Sequence, residues 1–391
     1  MSPICNAELN NSIQTLIDLT EINLTTTINT INNNMKKIFS LLLVLGLFTA
    51  CRKERVEVPK EEEKVSPKVL SFDTDQNSSL MFQDGEAMEV LTSESRAYSI
   101  AQIIRVKAVD EKNIEVSNFA PFDIENATIL ATIQGIGQVQ LFQIKKIRGH
   151  ATQTIKYPFV EGTRWFLDAD NKKVDLSSYK ETGIAPAKIS FDFTGENETI
   201  LRLKQLKKLK WTIKYHNYDP DNDPKNNWLP PTALNIRRFS GLLLNMGIVF
   251  VSDEFKQAFL QENIIGNDGV TALTLAEKEK TYNDILNHGR FNCGVCDPAP
   301  GNVYGLGGGS TLGYAPPVLK DYISKDQAST TAHEIGHCVG FGHSSNMTYA
   351  KTINNVSVGI TPVMSRINKN YFTGGLFITT LKNYYKASDF Q

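Results

Sequence analysis

Two folded parts are predicted: an all-β sandwich module over residues 79–208 and an α+β domain over residues 209–391. Three observations carry this division. Apolar residues alternate with period two from about Ser79 to Leu203, the pattern of half-buried strands. Beyond Trp211 helix signals join the strand signals, among them Thr274 and Glu277 at capping-box spacing. Only six histidines occur, yet His333, His337 and His343 fall within eleven residues. The 391 residues, 41 % apolar and 21 % charged, suit two or three domains. They exclude a wholly disordered chain, a collagen and a polytopic membrane protein. With 41 basic and 42 acidic residues the net charge is −1, which lacks the marked Lys/Arg excess that neutralises phosphates, so nucleic acid is not an expected partner.

Residues 1–50 read as a start region and an export signal. Lys36 and Lys37 precede a 13-residue apolar run, Ile38 to Ala50, too short to span a bilayer as a permanent helix. Ala50-Cys51 at its end resembles the lipobox of bacterial lipoproteins, although Phe48 stands where Leu is more usual. The resemblance implies that Cys51 is lipidated and becomes the mature N-terminus. The protein is then held in the bacterial cell envelope, at the outer membrane or cell surface. The mature 341 residues carry 39 charges of each sign, so acyl chains rather than a basic surface would anchor it. Residues 51–78 are expected to be a tether, since Arg52 to Lys64 holds five basic and five acidic residues and too little apolar content to fold.

Within the sandwich module, Ile104/Val106/Ala108, Ile114/Val116, Ile129/Ala131/Ile133, Val139/Leu141, Ile155/Tyr157 and Ile189/Phe191/Phe193 each place apolar groups on one strand face. No cluster in the module looks catalytic. The basic run Arg202, Lys204, Lys207, Lys208 and Lys210 reads as a solvated strand edge or joint. Trp211–Tyr218 is expected to open the second domain as a strand. Asp219, Asp221 and Asp223 then stand at calcium-loop spacing, but Pro224 and Pro230 occupy the positions of the required Gly and Glu, so a polar turn is expected and calcium is unsupported. A helix is predicted from Pro230 through Leu244, a buried strand over Met246–Val251, and a helix from Thr274 to about Asn287. Gly305–Ala315 (G-L-G-G-G-S-T-L-G-Y-A) has no Lys-Ser/Thr to make a phosphate loop and reads as a glycine-kinked edge strand or loop.

Residues 333–343 read H-E-I-G-H-C-V-G-F-G-H. Ser324 and Gln327 could cap a helix from about Lys325 to Val339. On it His333 and His337 share one face a turn apart, the spacing at which two imidazoles bind one zinc ion. Glu334 is rotated about 100° from His333, beside the metal rather than on it, where it suits a general base. Gly340 falls where the helix should stop, and a left-handed glycine there would return His343 toward the same metal. Three neutral ligands leave one open position, the mark of a catalytic site.

These residues resemble the metzincin clan of zinc peptidases, and the H-E-I-G-H wording is similar to its bacterial dual-action HEIGH family. The resemblance covers residues 210–391 at fold level and 333–343 closely. It implies one catalytic zinc, a protein or peptide substrate, and a methionine turn beneath the metal. Met364, 21 residues past His343 in T-P-V-M-S-R, is the favoured methionine; Met347, four residues past His343, is the alternative. Met347-Thr348-Tyr349 mimics a pattern in which a tyrosine assists the zinc in some relatives. The resemblance further implies that Phe372–Tyr385 is a closing helix and that Gly305–Ala315 receives substrate by strand addition. If Met364 marks the turn, Ser365, Arg366 and Ile367 would line the pocket after the scissile bond, and Arg366 would favour an acidic side chain. Cys293 and Cys296 could be free or bridged, and pairing of either with Cys338 is open; Cys338 itself should face the core. The expected activity is a zinc-dependent endopeptidase with Glu334 as general base. The alternative is a surface adhesion lipoprotein whose metzincin-like domain is inactive.

Overall fold

A computed structural model of the chain describes residues 65–72, 79–220, 227–320 and 325–371. The chain parts into Met1–Lys64 and Val65–Gln391, and only the second unit is described. The leader with Cys51, the charged part of the tether, Asp221, Asp223, Ser324 and the segment Phe372–Tyr385 lie outside the described residues.

The described chain is mixed α/β, with several sheets and eight α-helices among the described residues. Its N-terminal half is strand-rich. One sheet runs in the order 173–175, 165–168, 137–147, 124–133, 189–194, with Val69–Phe72 added parallel to 137–147. A second runs 79–80, 151–156, 113–118, 104–108 and is antiparallel throughout. Period-two burial is clearest in Ile124–Ile133, where Ala127, Ile129, Ala131 and Ile133 all point inward. Residues 69–72 are therefore strand rather than tether: V-L-S-F carries enough apolar surface, including the buried Phe72, to pair.

The sheet that bears the site is ordered 305–308, 311–314, 289–296, 211–215, 98–99. Its three middle strands are parallel, and the glycine-rich Gly305–Gly308 closes one edge antiparallel, as expected of an edge strand. Tyr98–Ser99 closes the other edge against Trp211–Tyr215. The expected boundary at 208/209 is thus crossed by a strand pair, and one continuous apolar core runs through both halves.

Three local expectations are corrected. Residues 198–205 form a helix, N-capped by Asn197, and not a strand end; Leu203 and Ile200 serve a helical stripe as well as a pleat. Its basic neighbours are engaged at the joint: Lys207 with Asp192, Lys204 with Thr194, and Lys208 with the Val251 carbonyl. Ala233–Val251 is one helix of 19 residues, without the strand expected at 246–251. That helix is buried nearly all round, so it shows no amphipathic period, and packing overrides the strand preference of I-V-F-V. Gly247 belongs to the same fit, because an added Cβ would come within 2.9 Å of Leu209. The third correction, at Met364, concerns the site. The helix Leu275–Leu286 carries the full Thr274–Glu277 capping box.

Candidate metal centre

The helix Lys325–Cys338 presents His333 and His337 on one face. Their Nε2 atoms stand 3.1 Å apart. Main chain engages both rings: His337 Nδ1 donates to the Phe341 carbonyl at 2.6 Å, and the Thr348 carbonyl accepts from the His333 ring. A donor hydrogen at Nδ1 of a neutral imidazole leaves Nε2 as a bare lone pair. Burial, then the neighbouring His337, depresses His333 to about 4, and burial likewise lowers His337. Both rings are therefore neutral at pH 7, the form a metal requires.

Helix termination delivers the third imidazole. Gly340 takes φ +94°, its N–H donates to the His337 carbonyl, and the Phe341 N–H donates to the Gly336 carbonyl at 3.0 Å. This paired closure is a Schellman motif, and glycine fills its left-handed position without a Cβ clash. The reversed chain brings the His343 ring to 4.7 Å from His337 and 5.5 Å from His333. The ligand-capable atoms of all three lie within 4.8 Å of one another. Nitrogens bound to one tetrahedral zinc at about 2.0–2.1 Å stand roughly 3.3 Å apart. The donor set therefore fits such an ion.

Glu334 sits beside this triad, with Oε1 3.9 Å from His333 Nε2. It is only 6 % exposed, and burial pushes its carboxyl up to about 8. A raised carboxyl in a cleft is the electrostatic condition of a proton-transfer group. The cleft has a volume of about 690 Å³. The edge strand Gly305–Gly308 forms one wall, Ser329 and Thr330 another, and Tyr349 and Thr361 a third. Glycines let the edge strand come this close. A Cβ on Gly305 would lie 2.7 Å from the Glu334 Cδ, and one on Gly307 would lie 2.9 Å from the Glu334 Cα.

Met364 does not make the turn beneath the histidines. It is buried inside the helix Ile360–Tyr371. The turn is Ser345–Tyr349, with Met347 fully buried and its carbonyl pressed on Gly336, where a Cβ would clash. Four residues beyond His343 suffice because the Gly340 reversal has already folded the chain back under the helix. Tyr349 follows, its ring 4.4 Å from that of His333 and 4.9 Å from that of His343. Arg366 is 55 % exposed and pairs with the buried Glu262. Neither it nor Ser365 nor Ile367 lines the cleft. The three described cysteines are free and buried; Cys338 Sγ turns to the Thr311 carbonyl at 3.3 Å, away from the histidines.

Sequence reasoning missed the support beneath the site. The segment 262–267 braces it at three points: Glu262 accepts from the Gly359 N–H, Ile265 exchanges bonds with Asn346 and Ser345, and Asn267 grips the loop around His343. Only the turn-forming G-N-D-G of residues 266–269 marks this region in the sequence, and it reads as an ordinary loop. Comparison with family models, curated proteins and solved structures yields no match.

Proposed function

We propose that this chain is a zinc-dependent endopeptidase of the metzincin kind. One observation carries the reading: three imidazoles converge on one point, next to a buried carboxylic group, in an open cleft walled by an edge strand. His333, His337 and His343 would hold the ion. Zinc, when bound, supplies Lewis-acid polarisation of the scissile carbonyl and of a water molecule.

The chain's own groups do the rest. The glycine strand 305–308 offers backbone N–H and C=O groups to an extended peptide, which aligns the scissile bond across the cleft. Glu334, in its ionised form, would accept a proton from the attacking water and return it to the leaving amine. Tyr349, against two of the rings, is placed to donate its hydroxyl hydrogen to negative charge developing on the substrate oxygen. An export signal ending in Ala50-Cys51 supports a lipid-anchored protein of the bacterial envelope.

Glu334→Ala tests the reading. The variant should retain one zinc per chain while hydrolysis falls roughly 10²–10⁴-fold, the range of general acid–base catalysis. Near-normal turnover in the variant would remove Glu334 from the chemistry.

A further inference from the structure

His343 is the weakest of the three ligands to hold in place. His333 and His337 are fixed by their helix and by bonds to carbonyl groups. His343 is exposed and lies on a loop between Gly342 and Ser344. Its neighbours Gly342 and Ser344 are exposed too, so core packing does not set its position.

Asn267 supplies what packing does not. Its Nδ2 donates to the Gly340 carbonyl at 2.9 Å, and its Oδ1 accepts from the Gly342 N–H at 2.8 Å. Its own carbonyl accepts from Ser344 Oγ at 2.6 Å. The three bonds bracket His343 on both sides. A side-chain amide is the group required here, since one bond needs a donor and the other an acceptor. Asn267 can reach because the following turn is pinned: Asp268 Oδ1 accepts from the Val270 and Thr271 N–H groups, and Gly269 turns at φ +80°.

We propose that Asn267 is a positioning residue for the third ligand, and that metal affinity depends on it through His343 alone. The proposal rests on the metal-centre reading above. Outer supports of metal ligands commonly contribute 10–100-fold in affinity. Asn267 is itself exposed, so its loss should hardly change the stability of the metal-free fold.

The test is a double-mutant cycle on the full-length protein, with zinc affinity read by competition against a chromophoric chelator. Asn267→Ala should weaken zinc 10–100-fold in the wild-type background and leave the metal-free melting temperature within about 2 °C. In a His343→Ala background the same substitution should have no further effect, since the residue it positions is gone. Asn267→Asp keeps the acceptor for Gly342 and loses the donor to Gly340, so its affinity should fall between the two. With cobalt as a probe, Asn267→Ala should weaken the visible bands of a four-coordinate ion. Equal affinity in wild type and Asn267→Ala overturns the proposal while leaving the metal centre intact. An equal loss in both backgrounds overturns it as well, because Asn267 would then act on the whole fold. Failure of the wild-type protein to bind zinc overturns both the proposal and the reading beneath it.

Discussion

Gly305 backs directly onto the carboxyl group of Glu334, so close that a Cβ would lie 2.7 Å from its Cδ. The edge strand and the proposed general base therefore share one space. Gly305→Ala should push the carboxylate aside, lowering turnover while zinc binding stays as in wild type. Gly307→Ala faces the Glu334 backbone, which cannot swing away, and should lower thermal stability as well as turnover. Metal analysis with steady-state kinetics on the two variants checks this. Wild-type turnover in Gly305→Ala would show that the strand stands farther from the carboxyl group than it does here.

Among the described residues the cleft walls hold no Lys, Arg or Asp, and their acidic group is Glu334. An acidic substrate side chain entering them would lose its hydration without gaining a cationic partner. Peptide-library cleavage should accordingly disfavour Asp and Glu on either side of the scissile bond, rather than favour them. Arg366→Ala should leave the profile unchanged. It should lower stability by on the order of 1–3 kcal/mol, because the buried Glu262 loses an ion-pair partner. An acidic preference that disappears in Arg366→Ala would return Arg366 to the pocket.

His150 is buried, and burial, then Arg237 and Arg96, depresses it to about 3 from an ordinary 6.5. Above pH 6.5 neither the folded nor the unfolded chain binds this proton. Below it the unfolded chain does and the folded one does not, so stability falls by about 1.4 kcal/mol per pH unit until about pH 3. Between pH 7 and pH 5 denaturant unfolding should register a loss of about 2 kcal/mol from this group. His150→Asn suits the left-handed backbone there, φ +54°, and should flatten the acid slope. An unchanged slope would assign the acid sensitivity elsewhere.

Much of the candidate metal centre was legible in the sequence, because it is local. The 0, +4, +10 histidine spacing, Glu334 and the helix stop at Gly340 all act through helix geometry and one glycine turn. The edge-strand character of Gly305–Gly308 was legible for the same reason. What depended on distant packing was not. The I-V-F-V of 248–251 carries strand preference, and only burial on every side makes it helix. Met347 and Met364 could not be told apart by chain length, since the choice turns on how the loop folds back onto Gly336. Asn267 lies more than 70 residues from the bonds it makes, and no local pattern announces such a contact.

Cys51→Ser tests the anchor implied by Lys36-Lys37, the apolar run and Ala50-Cys51. The variant should move from the membrane fraction to the soluble one, because under the proposed reading acyl chains on Cys51 would be what holds the mature chain to the bilayer. Retention of the variant on membranes after a carbonate wash would reject the lipobox.

Digestion of an unbiased peptide mixture by the full-length protein, before and after zinc is stripped and restored, bears most directly on the zinc endopeptidase. Internal peptide bonds should be cleaved by the zinc-loaded protein, spared after stripping, and cleaved again when zinc returns. Cleavage indifferent to metal removal, or no cleavage by a chain carrying one zinc, would contradict it.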